Sequence, residues 1–351
     1  MSSATANHPR LSPDGVRPKT GALLAGFGGP RSLYEIQPML TEILGRTPPE
    51  ALLERTMRKY QAIGGSSPFV GIATMIARGI ESMLMADRDL DVECIQPGML
   101  FTAPKVESSI FKLVSSGCSR IMFLALTPFY SQAAYGTALA RVQAALQAFP
   151  RVQLIEVPVV GTAAAYRTGV IARVREAYAG AGLPTASASA ESCGRAQQAE
   201  QIGSADPAAL TRLVFVAHSL PTDDPDEDAA AYDACMRTLA ASVAAAVGGM
   251  DEMWRVAYTS QGARGGAWLG PTMTDVLQEC ADDGVGAVVA CPLGFLVDHM
   301  EVLYDLDVQA AADARELGIR FVRAGTLGAS RDLIEAYIEV MRRAESGVTE
   351  P

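Results

Sequence analysis

The sequence predicts an α/β protein in which two doubly wound, mostly parallel sheets face a central cleft. Three observations support this fold class. Short uncharged apolar runs, which suit strands buried on both faces, alternate with longer segments of helical pattern. The alternation runs once over residues 21–160 and then resumes, and 351 residues suffice for two domains of ordinary size. Polar residues follow several of the apolar runs, where an open parallel sheet has its ligand crevice.

The first half starts with an apolar run, residues 21–27 (GALLAGF), that ends at Gly28-Gly29-Pro30 and predicts a buried strand followed by a tight turn. This turn lacks both the G-x-G-x-x-G pattern and the Walker lysine, so we do not expect it to bind a nucleotide. The continuous apolar run IMFLAL is typical of a central parallel strand. The strands predicted in this half are 21–27, 92–100, 121–126 and 153–160, and the helices are 33–44, 50–62, 72–85, 104–116 and 138–148.

The second half repeats the pattern around residues 213–217 (LVFVA), a predicted buried strand that runs directly into His218. Another uncharged run, 284–297, predicts a buried strand that delivers the acidic segment after it to the crevice. Residues 184–207 are rich in Ala, Ser and Gln without periodicity, which predicts a flexible insertion. The remaining strands are 254–259 and 321–324, and the helices are 164–179, an Ala-rich segment ending near 247, 271–280 and 330–343.

These patterns divide the chain into four parts. They are a disordered arm (1–20), an N-terminal Rossmann-like domain (21–160), a C-terminal Rossmann-like domain (161–330), and a closing helix with a tail (331–351).

Charge and cysteine spacing exclude several classes of protein. The net charge of −10 argues against nucleic acid and against an anionic membrane surface as partners. The six cysteines form no CxxC pair, which disfavours a disulfide framework and a structural zinc site and suits a reducing cytoplasm. The N-terminal twenty residues lack the apolar core of a signal peptide, and polar residues interrupt the longest uncharged run, 121–140. We therefore expect a cytoplasmic protein without an integral membrane segment, and we expect a monomer.

The segment at residues 291–307 (CPLGFLVDHMEVLYDLD) concentrates groups that titrate or bind metals. Asp298, Glu301 and Asp305 are spaced by three and then four residues, so in a helix their carboxylates would share one face. His299 lies beside that face, and His218 follows a strand of the same half. Imidazole and carboxylate together suit a divalent first-row metal, and they equally suit proton transfer near neutral pH. The alternative interpretation is an amphipathic helix with a solvated acidic face.

Two loops in the first half are candidate pocket walls. The IGGSSP run at 63–68 has two hydroxyls that could hold a carboxylate, or it ends one helix and caps the next with Ser67 before Pro68. Residues 127–137 (TPFYSQAAYGT) follow a predicted central strand and are rich in hydroxyls and aromatic rings.

With these motifs in order, the sequence resembles the ferrochelatases, enzymes that insert ferrous iron into a porphyrin. The resemblance covers residues from about 21 to 343, and the WLGP and PLGFLVDHMEVLYDLD elements are its most specific part. The sequence of the last element is similar to that of Gram-positive-type enzymes, which act on coproporphyrin III. The matching elements are FGGP (27–30), KYQAIGGSSP (59–68), TPFYS (127–131), AHSLP (217–221), TSQG (259–262), WLGP (268–271) and PLGFLVDHMEVLYDLD (292–307).

The resemblance implies a chelatase fold with the macrocycle in the cleft, lyase activity in haem biosynthesis, and Fe²⁺ as a substrate rather than a cofactor. It implies that His218 and Glu301 bind the metal and act in catalysis with His299. Asp298 and Asp305 could relay cations or protons, or they could simply be solvated. The residues expected to bind the porphyrin are Phe27, Lys59, Tyr60, Ser67, Tyr130 and Tyr135. We expect no further cofactor, and no iron–sulfur cluster, because no cysteine follows Cys291.

Departures from the family pattern leave the substrate open. Phe27 stands where relatives often have a tyrosine able to reach the iron, and residues 223–226 and 98–104 also differ from the pattern. The same fold could act on protoporphyrin IX, or insert cobalt or nickel into a sirohydrochlorin-type ring. A non-catalytic tetrapyrrole carrier is a third hypothesis, which His218 and Glu301 disfavour because a carrier needs neither a base nor a metal ligand.

Overall fold

The computed structural model describes residues 18–86, 90–183, 210–224, 228–248, 253–262 and 265–347. Over these ranges it contains two four-stranded sheets in which every pairing is parallel. The first sheet has the order β2-β1-β3-β4 and the second has the order β6-β5-β7-β8. The strands are β1 (Lys19–Gly26), β2 (Val92–Met99), β3 (Cys118–Ala125), β4 (Gln153–Glu156), β5 (Thr211–His218), β6 (Trp254–Thr259), β7 (Ala287–Cys291) and β8 (Arg320–Arg323).

Helices flank both faces of each sheet, so the predicted doubly wound α/β fold class is confirmed. In the described ranges they are α1 (Ile36–Leu44), α2 (Glu50–Ala62), α3 (Phe69–Ala86), α4 (Val106–Ser115), α5 (Thr137–Leu146), α6 (Ala164–Ala181), α7 (Ala229–Ala246), α8 (Met273–Asp282), α9 (Met300–Leu303), α10 (Ala311–Glu316) and α11 (Arg331–Ser346). The predicted insertion at 184–207 and residues 1–17 of the predicted arm lie outside the described residues. The predicted end of the arm at residue 20 is wrong, because Lys19 and Thr20 already belong to β1.

Central strands are buried on both faces, as their uncharged sequences predict. Leu23 and Leu24 in β1 are both fully buried, but their side chains belong to separate hydrophobic clusters on opposite faces of the first sheet. Leu24 packs with Ile76 and Ile80 of α3, whereas Leu23 packs with Ile110 of α4 on the opposite face. Because side chains alternate along a strand, one apolar run forms two helix–sheet interfaces.

The last helix, α11, leaves the second half and packs against α3 and α6. The Tyr337 hydroxyl donates to the carbonyl of Ala125 at 3.0 Å, at the end of β3. Glu345 pairs with Arg120 at 2.9 Å, on the same strand. The helix therefore fixes the two sheets relative to each other, and our domain boundary at residue 160 stays a proposal.

Among the described helices, α3 alone is long and apolar enough to cross a membrane by those two criteria. Ala73, Ile76 and Ile80 of this helix are fully buried in the core that it forms with the first sheet. Burial against a sheet accounts for the apolar composition of such a helix.

The acidic segment departs most from prediction, because β7 already ends at Cys291 and no helix spans the three spaced carboxylates. His299 is extended, with φ −157° and ψ −174°, and α9 begins only at Met300. A π-helical stretch, Asp305–Ala310, then widens the backbone before α10. The turn that precedes α9 contains Gly294, whose backbone N–H donates to the carbonyl of Val216 at 2.9 Å.

We predict that Gly294→Ala destabilises the protein by roughly 1–3 kcal/mol, because overpacking a closed contact displaces backbone. A Cβ at this position would lie 2.6 Å from the Cβ of Ala217 on β5. Urea unfolding should show the loss. The matched control is Gly71→Ala on α3, where a Cβ would meet no atom within 4 Å. That helix substitution should be neutral or stabilise by up to about 1 kcal/mol, and an equal effect of both changes would contradict the packing argument.

Candidate active site

A cavity of about 1070 Å³, including its open mouth, lies between the two sheets at the carboxyl ends of their strands. Each sheet reverses its strand order between its two central strands, at β1/β3 and at β5/β7. Ligands of doubly wound sheets bind at such switch points. The described residues that line the cavity include Gly26, Phe27 and Gly28 after β1, Ala125, Leu126 and Thr127 after β3, His218 and Leu220 after β5, and Gly294, Phe295, Leu296, Val297, His299 and Glu301 after β7.

Two histidines converge on one carboxylate at the cavity wall. The Nδ1 atom of His218 lies 3.0 Å from Oε2 of Glu301, and Nε2 of His299 lies 3.6 Å from the same oxygen. Burial would raise the pKa of Glu301, but the charge and hydrogen bond of His218, followed by those of His299, outweigh it and hold this pKa well below its usual range. Glu301 is therefore ionised at neutral pH.

The orientation of the His299 ring follows from its second contact. Its Nδ1 lies 3.0 Å from the carbonyl of Val297, which can only accept a hydrogen bond, so Nδ1 carries a proton and donates it to this carbonyl. Nε2 is consequently the atom that faces Glu301. The rings of Phe69 and Phe295 pack around His299, with centroids 6.1 and 5.1 Å from it, and keep the imidazole in this orientation.

The first sheet supplies an apolar wall. Phe27 is about half exposed in the cavity, and its ring is tilted against Phe101 with centroids 4.5 Å apart. Leu100, Ala125 and Leu126 continue this surface. Of the described residues that line the cavity, Tyr232 and the histidine–glutamate cluster are the groups that titrate. The cavity therefore joins an extended apolar surface to one small polar cluster.

The predicted porphyrin contacts of Tyr130 and Tyr135 do not appear at this cavity. Tyr135 is buried beneath Tyr130, and its hydroxyl donates to the carbonyl of Val157 at 3.4 Å. Tyr130 is exposed and donates to the side chain of Gln132. A π-helical turn, Gln132–Gly136, rotates the loop so that Ser131, Ala133 and Ala134 line the cavity instead.

Tyr60 and Ser67 also lie behind the lining residues. Tyr60 is buried with Ile36 and Met39, and burial together with the charge of Glu301 raises the pKa of its hydroxyl. The Ser67 hydroxyl accepts a hydrogen bond from the backbone of Phe69 at 3.3 Å, as in a helix cap before Pro68. Of the two interpretations of this loop, the contacts show the cap.

The expectation that Asp298, Glu301 and Asp305 share one helix face is wrong, because α9 begins after Asp298. Asp298 accepts a hydrogen bond from Thr326 at 3.0 Å and lies 3.4 Å from Arg323.

Asp305 instead pairs with Lys59 at 2.9 Å and lines a second cavity of about 640 Å³. Lys59 is likewise absent from the described lining of the first cavity. A relay role for either aspartate stays a proposal.

Sequence reasoning missed three aromatic residues of the wall, Phe69, Phe295 and Tyr232. Phe295 lies within the segment that the motifs singled out, and Phe69 follows the IGGSSP run directly, so their positions were a usable signal. Tyr232 is one bulky residue in an Ala-rich helix, and nothing in the pattern showed which way it points.

Comparison with known proteins agrees with this geometry. A family model described as Ferrochelatase matches residues 19–345. The coproporphyrin III ferrochelatase of Propionibacterium freudenreichii is 30% identical over 92% of this chain and 87% of its own length. A ferrochelatase of Herpetosiphon aurantiacus is 27% identical over 94% and 99% of the two chains. SirB from Bacillus subtilis, solved with Fe³⁺, superposes with a TM-score of 0.56 at 13% identity over 93% of this chain and 96% of its own, which shows a shared fold.

Two parallel sheets around an apolar cavity with a histidine–carboxylate cluster define a protein of the chelatase type. This chain belongs to the ferrochelatase family.

We predict that Ser67→Ala lowers the free energy of unfolding by about 1 kcal/mol, the usual value of a helix cap. The methyl group of alanine preserves the packing of the Cβ against Gly29. Thermal and urea unfolding measure the change, with Ser66→Ala as the neighbouring control. Equal stability of the two variants would contradict the cap assignment.

Proposed function

We propose that this protein is a ferrochelatase, a lyase that inserts Fe²⁺ into a porphyrin, with coproporphyrin III as the favoured substrate. The observation that supports this most is the convergence of His218 and His299 on Glu301 at the edge of the apolar cavity. The preference for coproporphyrin III rests on relatives of that name at 30–31% identity rather than on the cavity. Its place would be in haem biosynthesis.

The apolar surface and the cluster suit the two parts of such a reaction. A porphyrin is a flat aromatic ring. The apolar wall that includes Phe27 and Leu126 offers a surface for the face of this ring, while the carboxylates of the porphyrin would reach the open mouth of the cavity. Two pyrrole N–H protons must leave as the metal enters. In its neutral form His218 is our choice for the proton acceptor, taking one proton at a time and releasing it to solvent, and for a metal ligand, with ionised Glu301 as a further metal ligand.

The ionisation of Glu301 favours metal capture before insertion. A carboxylate with a lowered pKa does not need to lose a proton when a cation arrives, so metal binding costs no deprotonation at this residue. His299 would orient Glu301 through the contact at its Nε2. We expect no cofactor, and we expect the protein to act as a monomer in the cytoplasm.

We predict that His218→Ala and Glu301→Gln each lower kcat for iron insertion at least 100-fold, the usual value of a lost general base or metal ligand. Anaerobic incubation with Fe²⁺ and porphyrin, followed by absorbance, measures the rate. Both variants should bind the porphyrin about as tightly as wild type by fluorescence quenching, because the apolar wall remains. Glu335→Gln on α11, a partly exposed residue paired with Arg331, is the matched control.

Two results would contradict the assignment. If both variants keep the wild-type turnover, the cluster is not the catalytic site. If the wild type binds porphyrin tightly but metallates none, the protein is a carrier.

Substrate choice can be tested by competition. With coproporphyrin III, protoporphyrin IX and a sirohydrochlorin at equal concentration, we expect coproporphyrin III to be metallated first, with Fe²⁺ preferred in the cell because of supply rather than affinity. Product spectra after separation give the ratio of kcat/KM values. Faster metallation of sirohydrochlorin with Co²⁺ or Ni²⁺ would assign the protein to that alternative reaction.

A further inference from the structure

Two cysteine side chains meet on the face of the first sheet that α4 covers. The Sγ atoms of Cys94, on β2, and Cys118, on β3, lie 3.9 Å apart. The strand between them is β1, and its Gly21 has no side chain. A Cβ at this position would lie 2.9 Å from the Sγ of Cys118 and equally close to Leu113 of α4. The glycine therefore leaves open the space in which the two thiols approach each other.

The backbones of the two cysteines are too far apart for a disulfide. Cys94 is aligned with Gly21 and Cys118 with Lys19, on opposite sides of β1. Neighbouring strands are about 4.8 Å apart, so two strands on either side of a third are separated by roughly 9.5 Å. A disulfide needs Cα atoms within about 7 Å of each other. A direct S–S bond would therefore require β2 or β3 to move out of the sheet.

A metal ion between the two sulfurs needs no such movement. When two thiolates bind one ion at about 2.3 Å each, with a tetrahedral or trigonal angle, their sulfurs are roughly 3.8–4.0 Å apart. The distance between Cys94 and Cys118 is 3.9 Å. Among the described residues, no three His, Cys, Asp or Glu side chains form a larger metal-binding group, so water would complete the coordination. Sulfur ligands favour thiophilic ions such as Cu⁺ and Zn²⁺.

The protonation and exposure of the pair disfavour oxidation but allow metal binding. Burial raises the pKa of Cys94 to about 12, and burial also raises the pKa of Cys118. Both thiols are therefore protonated at neutral pH, and oxidants react with the thiolate. A coordinating metal ion displaces the thiol proton outright. Cys94 is partly exposed, so an ion has access to the pair from solvent.

We propose that Cys94 and Cys118 form a binding site for one thiophilic metal ion, such as Cu⁺ or Zn²⁺, which links the edge strand β2 to β3 across β1. Cys118 begins β3 and Cys94 is the third residue of β2, so the site lies toward the amino ends of the strands. The cavity lies at their carboxyl ends. The bound ion is therefore neither substrate nor cofactor of the proposed reaction, and the inference does not depend on that reaction.

Titration of the reduced protein with Cd²⁺, used as a thiophilic probe, tests the site. A bond between Cd²⁺ and a thiolate gives an ultraviolet charge-transfer absorbance that nitrogen and oxygen ligands do not give. Wild type should show it with one ion per chain. Cys94→Ser and Cys118→Ser should each weaken binding at least about tenfold, since even the loss of a group that only orients a ligand costs this much. Cys235→Ser removes an exposed thiol on α7 and should bind Cd²⁺ as wild type does.

A second measurement uses wild type alone, so that a folding defect in a variant does not decide the result. Alkylation with iodoacetamide, followed by mass spectrometry of the peptides, gives the reaction rate of each cysteine. Free Cd²⁺ at about ten times its Kd should slow the alkylation of Cys94 roughly tenfold, because the ion occupies most of the sites. The rate for Cys235 should not change.

Three results would overturn the site. The first is equal Cd²⁺ affinity in wild type and in both serine variants of the pair. The second is alkylation of Cys94 that Cd²⁺ does not slow. The third is a disulfide between Cys94 and Cys118 after treatment with hydrogen peroxide, because it would show that the strands approach as oxidation requires and would identify the pair as a redox site.

Discussion

The contact between His218 and Glu301 is the constraint on which the rest of the site depends. A carboxylate taken partly out of water is costly unless hydrogen bonds and charge compensate it, and His218 supplies a hydrogen bond, with a charge in addition when its ring is protonated. The contact requires the end of β5 and the start of α9 to meet. They do so because Gly294 has no side chain and lets the turn after β7 close against Ala217. The packing contact at Gly294 thus fixes the position of the polar pair at the cavity wall.

The two halves have the same strand order but contribute different kinds of residue to the cavity. In each half the first strand lies inside the sheet and the third crosses to its other side, which creates a switch point. At the first switch point the chain places Phe27 and Leu126, and at the second it places His218 and Glu301. The same strand order thus provides an apolar surface in the first half of the chain and the histidine–glutamate cluster in the second half.

Much of this architecture could be predicted from the sequence, because buried parallel strands have a strong local signal. The helix at Glu50–Ala62 and the strand at Trp254–Thr259 have the predicted bounds. His218 and Glu301 were identified from strand ends and motifs, and the structure brings them together. The directions of Tyr130 and Asp298 could not be predicted, because irregular backbone after a strand reorients side chains without a periodic signature. The pairing of Lys59 with Asp305 joins residues 246 positions apart and leaves no local trace.

The position of α11 has a consequence for how the protein is made. Residues 331–346 cover apolar surface on α3 and α6, and both of those helices are synthesised long before them. During translation that surface has no partner until the final helix leaves the ribosome, so the N-terminal half emerges with an exposed apolar flank. Assembly of the cleft is therefore a late step in synthesis. A chain that ends before α11 would expose the apolar surfaces of α3 and α6, which would favour aggregation.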